Sequence, residues 1–319
     1  MAFLAALTSG MLGCAAQNSA VIDRGASLAI ELSREPPSTD PAVSLRRSRL
    51  LRALGRQNEA LEELEAAQNA ARERLEWRSL TALWRETGDV HIELGHAEDA
   101  LLSYKKRLET AVSLEDTSLR ASALADTAYA LVLLGSTSRA DEAASAAKLL
   151  AGEELTRDPK AAERLALTHE RLDARELSDD LFARAARGYV AAGDRAGAAR
   201  ARVYRATLSL RTSGTALPTD ELDAVVAASL DPEPAARLER AKAEAGYLAR
   251  NDNACAEHAR NAVRLADARG LYAVAKAARV LLARCAGSLG ETSEAIAAAE
   301  EAASLVEEQR AHFSGDRVE

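Results

Sequence analysis

Glycine returns at a fixed interval in three helix-prone stretches. Gly55 in ALGRQNEALEEL, Gly95 in ELGHAEDALLSY and Gly135 in LLGSTSRADEAA stand 40 residues apart. Between two runs of good helix formers, a glycine ends one helix in a left-handed turn and lets the next begin. At a fixed period, one supersecondary unit becomes the building block of the chain. Stepping on by about 40 lands at Arg175 in DARELSDDLF, Gly214 in RTSGTALPTDEL, Asn251 in ARNDNACAEH and Gly290 in SLGETSEAIAAA. All but Arg175 lie in turn-forming sequence. Gly193 with Asp194, and Gly270, fall about halfway between turns, where one unit hands over to the next. The pattern predicts an all-α chain of about seven helical hairpins over residues 41–310, with a short tail over 311–319.

The second unit, LWRETGDVHIELGHAEDALLSY, carries Trp84, Gly88, His91, Gly95, Ala100 and Tyr104. A small residue at Gly88 lets the second helix of a hairpin approach the first, and Ala100 is its counterpart on that second helix. These residues, at spacings W-x3-G-x2-Y and A-x3-F, resemble the tetratricopeptide repeat. Thr87 replaces the usual Leu, His91 the usual Tyr, and Val112 a frequent Pro. The period near 40 exceeds the usual 34 and resembles the longer-helix branch found in kinesin light chains and many bacterial regulators. The resemblance implies a right-handed α-solenoid with a concave groove lined by the first helix of each hairpin. It further implies a protein partner whose peptide or helix lies in that groove. Carried through the register, the groove positions are Arg49, Arg52, Arg85, Asp89, Tyr129, His169, Tyr204, Arg211 and Arg284. Several are cationic, which suits a partner segment with carboxylates.

Composition bears on what else the chain could bind. Its formal charge is −8 and aromatics make up 3% of its 319 residues. Phosphate-backbone binding needs clustered cations and base binding needs stacking surfaces, so nucleic acid is not expected. Alanine abundance predicts helices packed at close range through small side chains.

Residues 1–17, beginning MAFLAALTSGMLGCAAQ, are uncharged and apolar up to Cys14, too short to span a bilayer. MLGC resembles the lipobox of bacterial lipoproteins, which implies a signal segment, lipid attachment at Cys14 and membrane contact through that anchor only. The basic residues that usually begin such a signal are missing, since the first is Arg24; a start assigned too far downstream would explain that. Residues 18–40, with Pro36, Pro37 and Pro41, read as a linker with some helical tendency. The expected location is the bacterial cell envelope, facing the periplasm. The alternative is a cytoplasmic adaptor with an incidental Cys14.

Two further cysteines, Cys255 and Cys285, lie symmetrically about Gly270, each 15 residues away. Antiparallel helices joined there bring them to one height. They either form a disulfide in an oxidising compartment or, as the sequence favours, serve as small buried apolar residues.

No catalytic or metal constellation emerges, and no cofactor is expected. His91 and His96 are five apart, which does not place both on one helix face; His169, His258 and His312 stand alone. No phosphate loop or nucleophile elbow is present. The expected function is that of a non-enzymatic protein-binding scaffold. An alternative is a sensor arm of a signalling system. The closing AASLVEEQRAHFSGDRVE resembles the junction that precedes a caspase-like CHAT protease domain in bacterial proteins with such arrays.

Overall fold

A computed structural model describes residues 26–152, 157–229, 231 and 233–315. Helix α1 covers 26–34, followed by α2 (Pro41–Ala53) and α3 (Gln57–Glu73). Next come α4 (Trp77–Leu94), α5 (Ala97–Ser113), α6 (Thr117–Leu133) and α7 (Thr137–Ala151). The chain continues through α8 (Pro159–Arg171), α9 (Arg175–Ala191), α10 (Arg195–Ser213) and α11 (Thr219–Ala227). It ends with α12 (Glu233–Leu248), α13 (Asp252–Asp267), α14 (Tyr272–Ser288) and α15 (Thr292–Gly315). From α2 onward these helices form seven hairpins, and no strand occurs among the described residues.

Local chemistry sets the helix ends. Asp40 and Asp158 cap helices that open on Pro41 and Pro159, their carboxylates accepting from backbone N–H groups of the first turn. At the end of α4, Gly95 takes φ +81°, and the N–H of His96 closes back on the carbonyl of His91 at 2.8 Å. Two turn positions differ from the sequence reading. Asp173 and Arg250 adopt the left-handed conformation, whereas Arg175 begins α9 and Asn251 caps α13. An asparagine-like or charged residue tolerates this conformation at a cost, so glycine is preferred there rather than required.

The first helix of each hairpin packs on its partner and also on the first helix of the next hairpin. These first helices, α2, α4, α6, α8, α10, α12 and α14, therefore form a continuous inner layer, and the second helices an outer one. α6 is buried on nearly all sides, with Ala121, Ala125, Ala128 and Leu131 among its covered residues. Alanine lets backbones approach closely. Gly88 marks the tightest approach: a Cβ there would lie within 2.7 Å of three ring carbons of Tyr104.

The array closes on itself. The Gln57 side chain donates to the carbonyl of Arg269, 212 residues away. α4 meets α14, and a Cβ on Gly95 would lie 2.6 Å from the Tyr272 ring. The curvature of seven hairpins thus brings the start of the array against the junction of the sixth and seventh. What an open solenoid presents as a groove is here the interior of a ring.

Two expected boundaries shift. Part of the linker read over 18–40 is helical: Leu32 of α1 is buried against the first hairpin, and Arg47 donates to its carbonyl. α15 runs to Gly315, past the boundary at 310. Residues 1–17, with Cys14, lie outside the described residues. No described helix is long and apolar enough to cross a membrane.

Candidate functional site

Ion pairs join the inner helices, both successive ones and α4 to α8. Arg52 of α2 holds Glu86 and Glu93 of α4, with Arg49 3.5 Å from Glu86. Arg85 of α4 reaches Asp126 of α6 at 3.2 Å and Asp158 at 2.9 Å. Asp89 of α4 accepts from Lys160, from Arg164 of α8 at 2.8 Å and from the Tyr104 hydroxyl at 2.9 Å. Arg200 of α10 pairs with Glu163 of α8 at 2.7 Å. Burial alone would push the Asp89 carboxyl up, but the charges of Lys160 and Arg164 override it and hold it well below the usual carboxylate range. Glu163 is likewise held down by Arg200 and the Tyr189 hydroxyl against its burial.

Beyond this network the ring opens into a cavity of about 400 Å³ lined by α6, α8, α10, α12 and α14. Four arginines reach it, Arg171, Arg211, Arg237 and Arg240, against one acidic lining residue, Glu170. Tyr129 and Tyr204 give it aromatic walls, and Leu167 and Val274 apolar ones. Arg237 lies 4.8 Å over the Tyr204 ring and pairs with Glu233 at 2.6 Å. Arg211 bridges Glu170 at 2.8 Å and Glu244. Arg240 has only Glu244, at 3.7 Å, among the described residues, and its burial together with Arg211 and Arg237 depresses its guanidinium pKa. Positive charge is in excess here, and a carboxylate entering the cavity would relieve it.

A second cavity, about 410 Å³, lies where the first hairpin faces the fifth and sixth. Arg49, Arg52 and Arg269 line it together with Glu93, Asp231 and Glu233. Its charges are mixed, so it offers no comparable preference.

The predicted groove positions separate accordingly. Tyr129, Tyr204 and Arg211 line the cationic cavity. Arg49 and Arg52 line the mixed one. Arg85 and Asp89 face inward but are engaged with the neighbouring hairpins, Arg85 with Asp126 and Asp158 and Asp89 with Lys160 and Arg164. His169 is buried, and the charges acting on it, Lys148 and Asp141, belong to outer helix α7. It therefore sits within the wall, where burial pushes its pKa down. Arg284 is exposed, 5.7 Å from the Tyr247 ring. Arg171, Arg237 and Arg240 escaped the sequence reading. Their inward positions follow from the helix register, but only the curvature shows that they converge.

Cys255 on α13 and Cys285 on α14 come together with Cα atoms 6.1 Å apart and their sulfurs bonded. His91, His96 and Asp99 also converge, each offering a donor atom within 4.8 Å of the others. The sequence reading set His91 and His96 aside by comparing them as positions on one helix, where five residues apart they would not share a face. Gly95 ends the helix between them, and the turn folds them together.

No family model and no curated protein matches the chain. Among solved structures it is similar to a Rap protein complexed with competence and sporulation factor. That likeness has 13% identity and a TM-score of 0.61, and covers 84% of this chain and 76% of that one. The fold is that of a tetratricopeptide-like solenoid. Two further likenesses are to BtubC from P. vanneervenii, at 15% identity and TM-score 0.37 over 81% of this chain and 92% of that one, and to an ATPase. The latter, a STAND signal transduction ATPase with a tetratricopeptide repeat sensor from Pyrococcus horikoshii, is 13% identical with TM-score 0.38; 86% of this chain and 38% of that one are covered.

Proposed function

We propose that this protein is a non-enzymatic scaffold that binds an acidic segment of a partner protein inside its ring. The observation that carries the reading is the cavity where Arg171, Arg211, Arg237 and Arg240 outnumber Glu170, with Tyr129 and Tyr204 as walls. A partner carboxylate would pair with Arg240 or Arg171 while its apolar neighbours pack on the tyrosines. A volume of about 400 Å³ suits a short anchoring stretch rather than a folded domain. The Rap protein of similar fold is complexed with competence and sporulation factor, which supports a ligand-holding use of such a fold.

Fluorescence anisotropy with labelled decapeptides, one rich in Asp and Glu and one with Lys in their place, tests this. The acidic peptide should bind, and R171E with R240E should weaken it at least about tenfold, the effect shrinking with salt. Equal binding of both peptides, or no effect of the double variant, overturns the reading.

The envelope placement belongs to the same proposal. Support comes from MLGC ahead of Ala15 and from the proximity of Cys255 and Cys285, which an oxidising compartment would keep paired. A lipid on Cys14 would then hold the array at a membrane surface. Intact mass of the chain expressed with its native upstream region, compared with Cys14→Ala, decides it. Acyl mass on an N-terminal Cys14, lost in the variant, supports the anchor, and an unprocessed soluble chain removes it.

A further inference from the structure

A tight turn in the second hairpin gathers three metal-ligating side chains from 9 residues of chain. His91 lies in the last turn of α4, His96 is the N-cap of α5, and Asp99 lies in the first turn of α5. Their donor atoms all lie within 4.8 Å of one another; His91 Nδ1 stands 4.0 Å from an Asp99 oxygen, and the two imidazole centroids are 6.1 Å apart. None of the three is fully exposed.

The geometry points to a binding site for a Zn²⁺-type divalent cation held by His91, His96 and Asp99. Two imidazoles and one carboxylate form a borderline donor set that suits zinc, and Mg²⁺ and Ca²⁺ favour all-oxygen ligands. In a tetrahedral zinc site, donors at about 2.1 Å from the metal stand about 3.4 Å from one another. Reaching that spacing takes side-chain movements of about 1 Å, with no change of backbone.

The backbone is already fixed. The His96 N–H bonds the His91 carbonyl at 2.8 Å, and the Ala100 N–H bonds the His96 carbonyl at 3.1 Å. Gly95 is backed by the Tyr272 ring across the ring closure. The ordering cost of bringing the ligand-bearing segments together is therefore met by folding, which favours metal affinity.

Three protein ligands leave a coordination position open. His96 also lines a cavity of about 330 Å³ at the closure, together with Asp267 and Glu308. Water from that cavity would complete the coordination. The site thus lies beside the joint between the second and seventh hairpins, and its occupancy would pin the α4–α5 turn that borders it.

Isothermal titration of untagged protein with ZnCl2 tests the assignment, with Co²⁺ absorption reporting coordination geometry. His91→Gln and His96→Asn remove one imidazole each, and asparagine is itself a favoured residue at the N-cap, where His96 makes no side-chain capping bond. Expected are one Zn²⁺ per chain, tetrahedral Co²⁺ bands and an affinity at least about tenfold weaker in either variant. Circular dichroism checks that the variants are folded; if one is not, Asp99→Asn replaces it. Absence of Zn²⁺ binding, or equal binding by wild type and folded variants, overturns the proposal.

Discussion

Gly88→Ala adds one methyl group at the closest helix approach in the second hairpin. Its carbon would lie within 2.7 Å of three Tyr104 ring carbons, where carbon contacts settle at about 3.5–4.0 Å. The ring must move by about 1 Å, but it is fully buried and its hydroxyl donates to Asp89 at 2.9 Å. Asp89 in turn is held by Lys160 and Arg164 of α8. Overpacking costs about 1–3 kcal/mol, and disturbing a hydrogen bond to a buried charge about 1.5–3 kcal/mol. Replacing glycine within a helix returns about 1 kcal/mol. A net loss of roughly 3 kcal/mol is expected. Urea unfolding followed by circular dichroism measures it, and hydrogen exchange should localise it to α4, α5 and α8. Tyr104→Leu removes the ring, so the double variant should be less destabilised than the two single effects together by at least about 1 kcal/mol. A Gly88→Ala protein as stable as wild type, or strict additivity with Tyr104→Leu, would refute the reasoning.

Acid should loosen the inner layer. Asp89, Asp158, Glu163 and Glu233 are held below their ordinary values despite burial. The unfolded chain therefore takes up protons near pH 4 while the folded one resists, and stability rises with pH through that window. Their contribution should be complete above about pH 5 and lost as pH falls below about 4; Glu93, pushed up by burial, opposes it. Asp89→Asn should flatten the acid limb and cost about 3–5 kcal/mol at pH 7, because Lys160 and Arg164 lose their partner. An unchanged pH profile in this variant would count against the network. Reduction of Cys255–Cys285, which closes a sequence separation of 30, should cost up to about 3.6 kcal/mol in the chain-entropy account. Thiol labelling of denatured, oxidised protein, mapped by residue, should leave Cys255 and Cys285 unlabelled, and labelling of both would exclude the bond. Gly95→Ala combines φ +81° with a Cβ 2.6 Å from Tyr272 and should cost about 2–4 kcal/mol. Hydrogen exchange should rise at the start of α14; an unchanged α14 would argue against the closure.

The repeat was legible because its determinants are local. Gly55, Gly95, Gly135, Gly214 and Gly290 all take positive φ where the period placed turns. Arg175 and Asn251 were displaced by one or two residues, because left-handed Asp173 and Arg250 carry no glycine to mark them. The cysteine pair was legible only as a choice, since symmetry about Gly270 gives equal height but not the separation between helices. The turn at Gly95 was recognised, yet His91 and His96 were still compared as positions on one helix, and their convergence was missed. Arg85 and Asp89 were read as groove residues from their inward register. Whether an inward charge meets a ligand or the neighbouring hairpin depends on inter-helix distances, which the register does not contain.

By itself, then, the sequence determined the hairpins, their number and the helices that face inward, because helix propensity, capping and turn conformation act within a few residues. Tertiary structure alone decided that the inner charges neutralise one another, that four arginines gather around one cavity, and that Gln57 meets Arg269. Those outcomes follow from a small rotation per hairpin accumulated over seven hairpins. No local stretch of sequence encodes that sum.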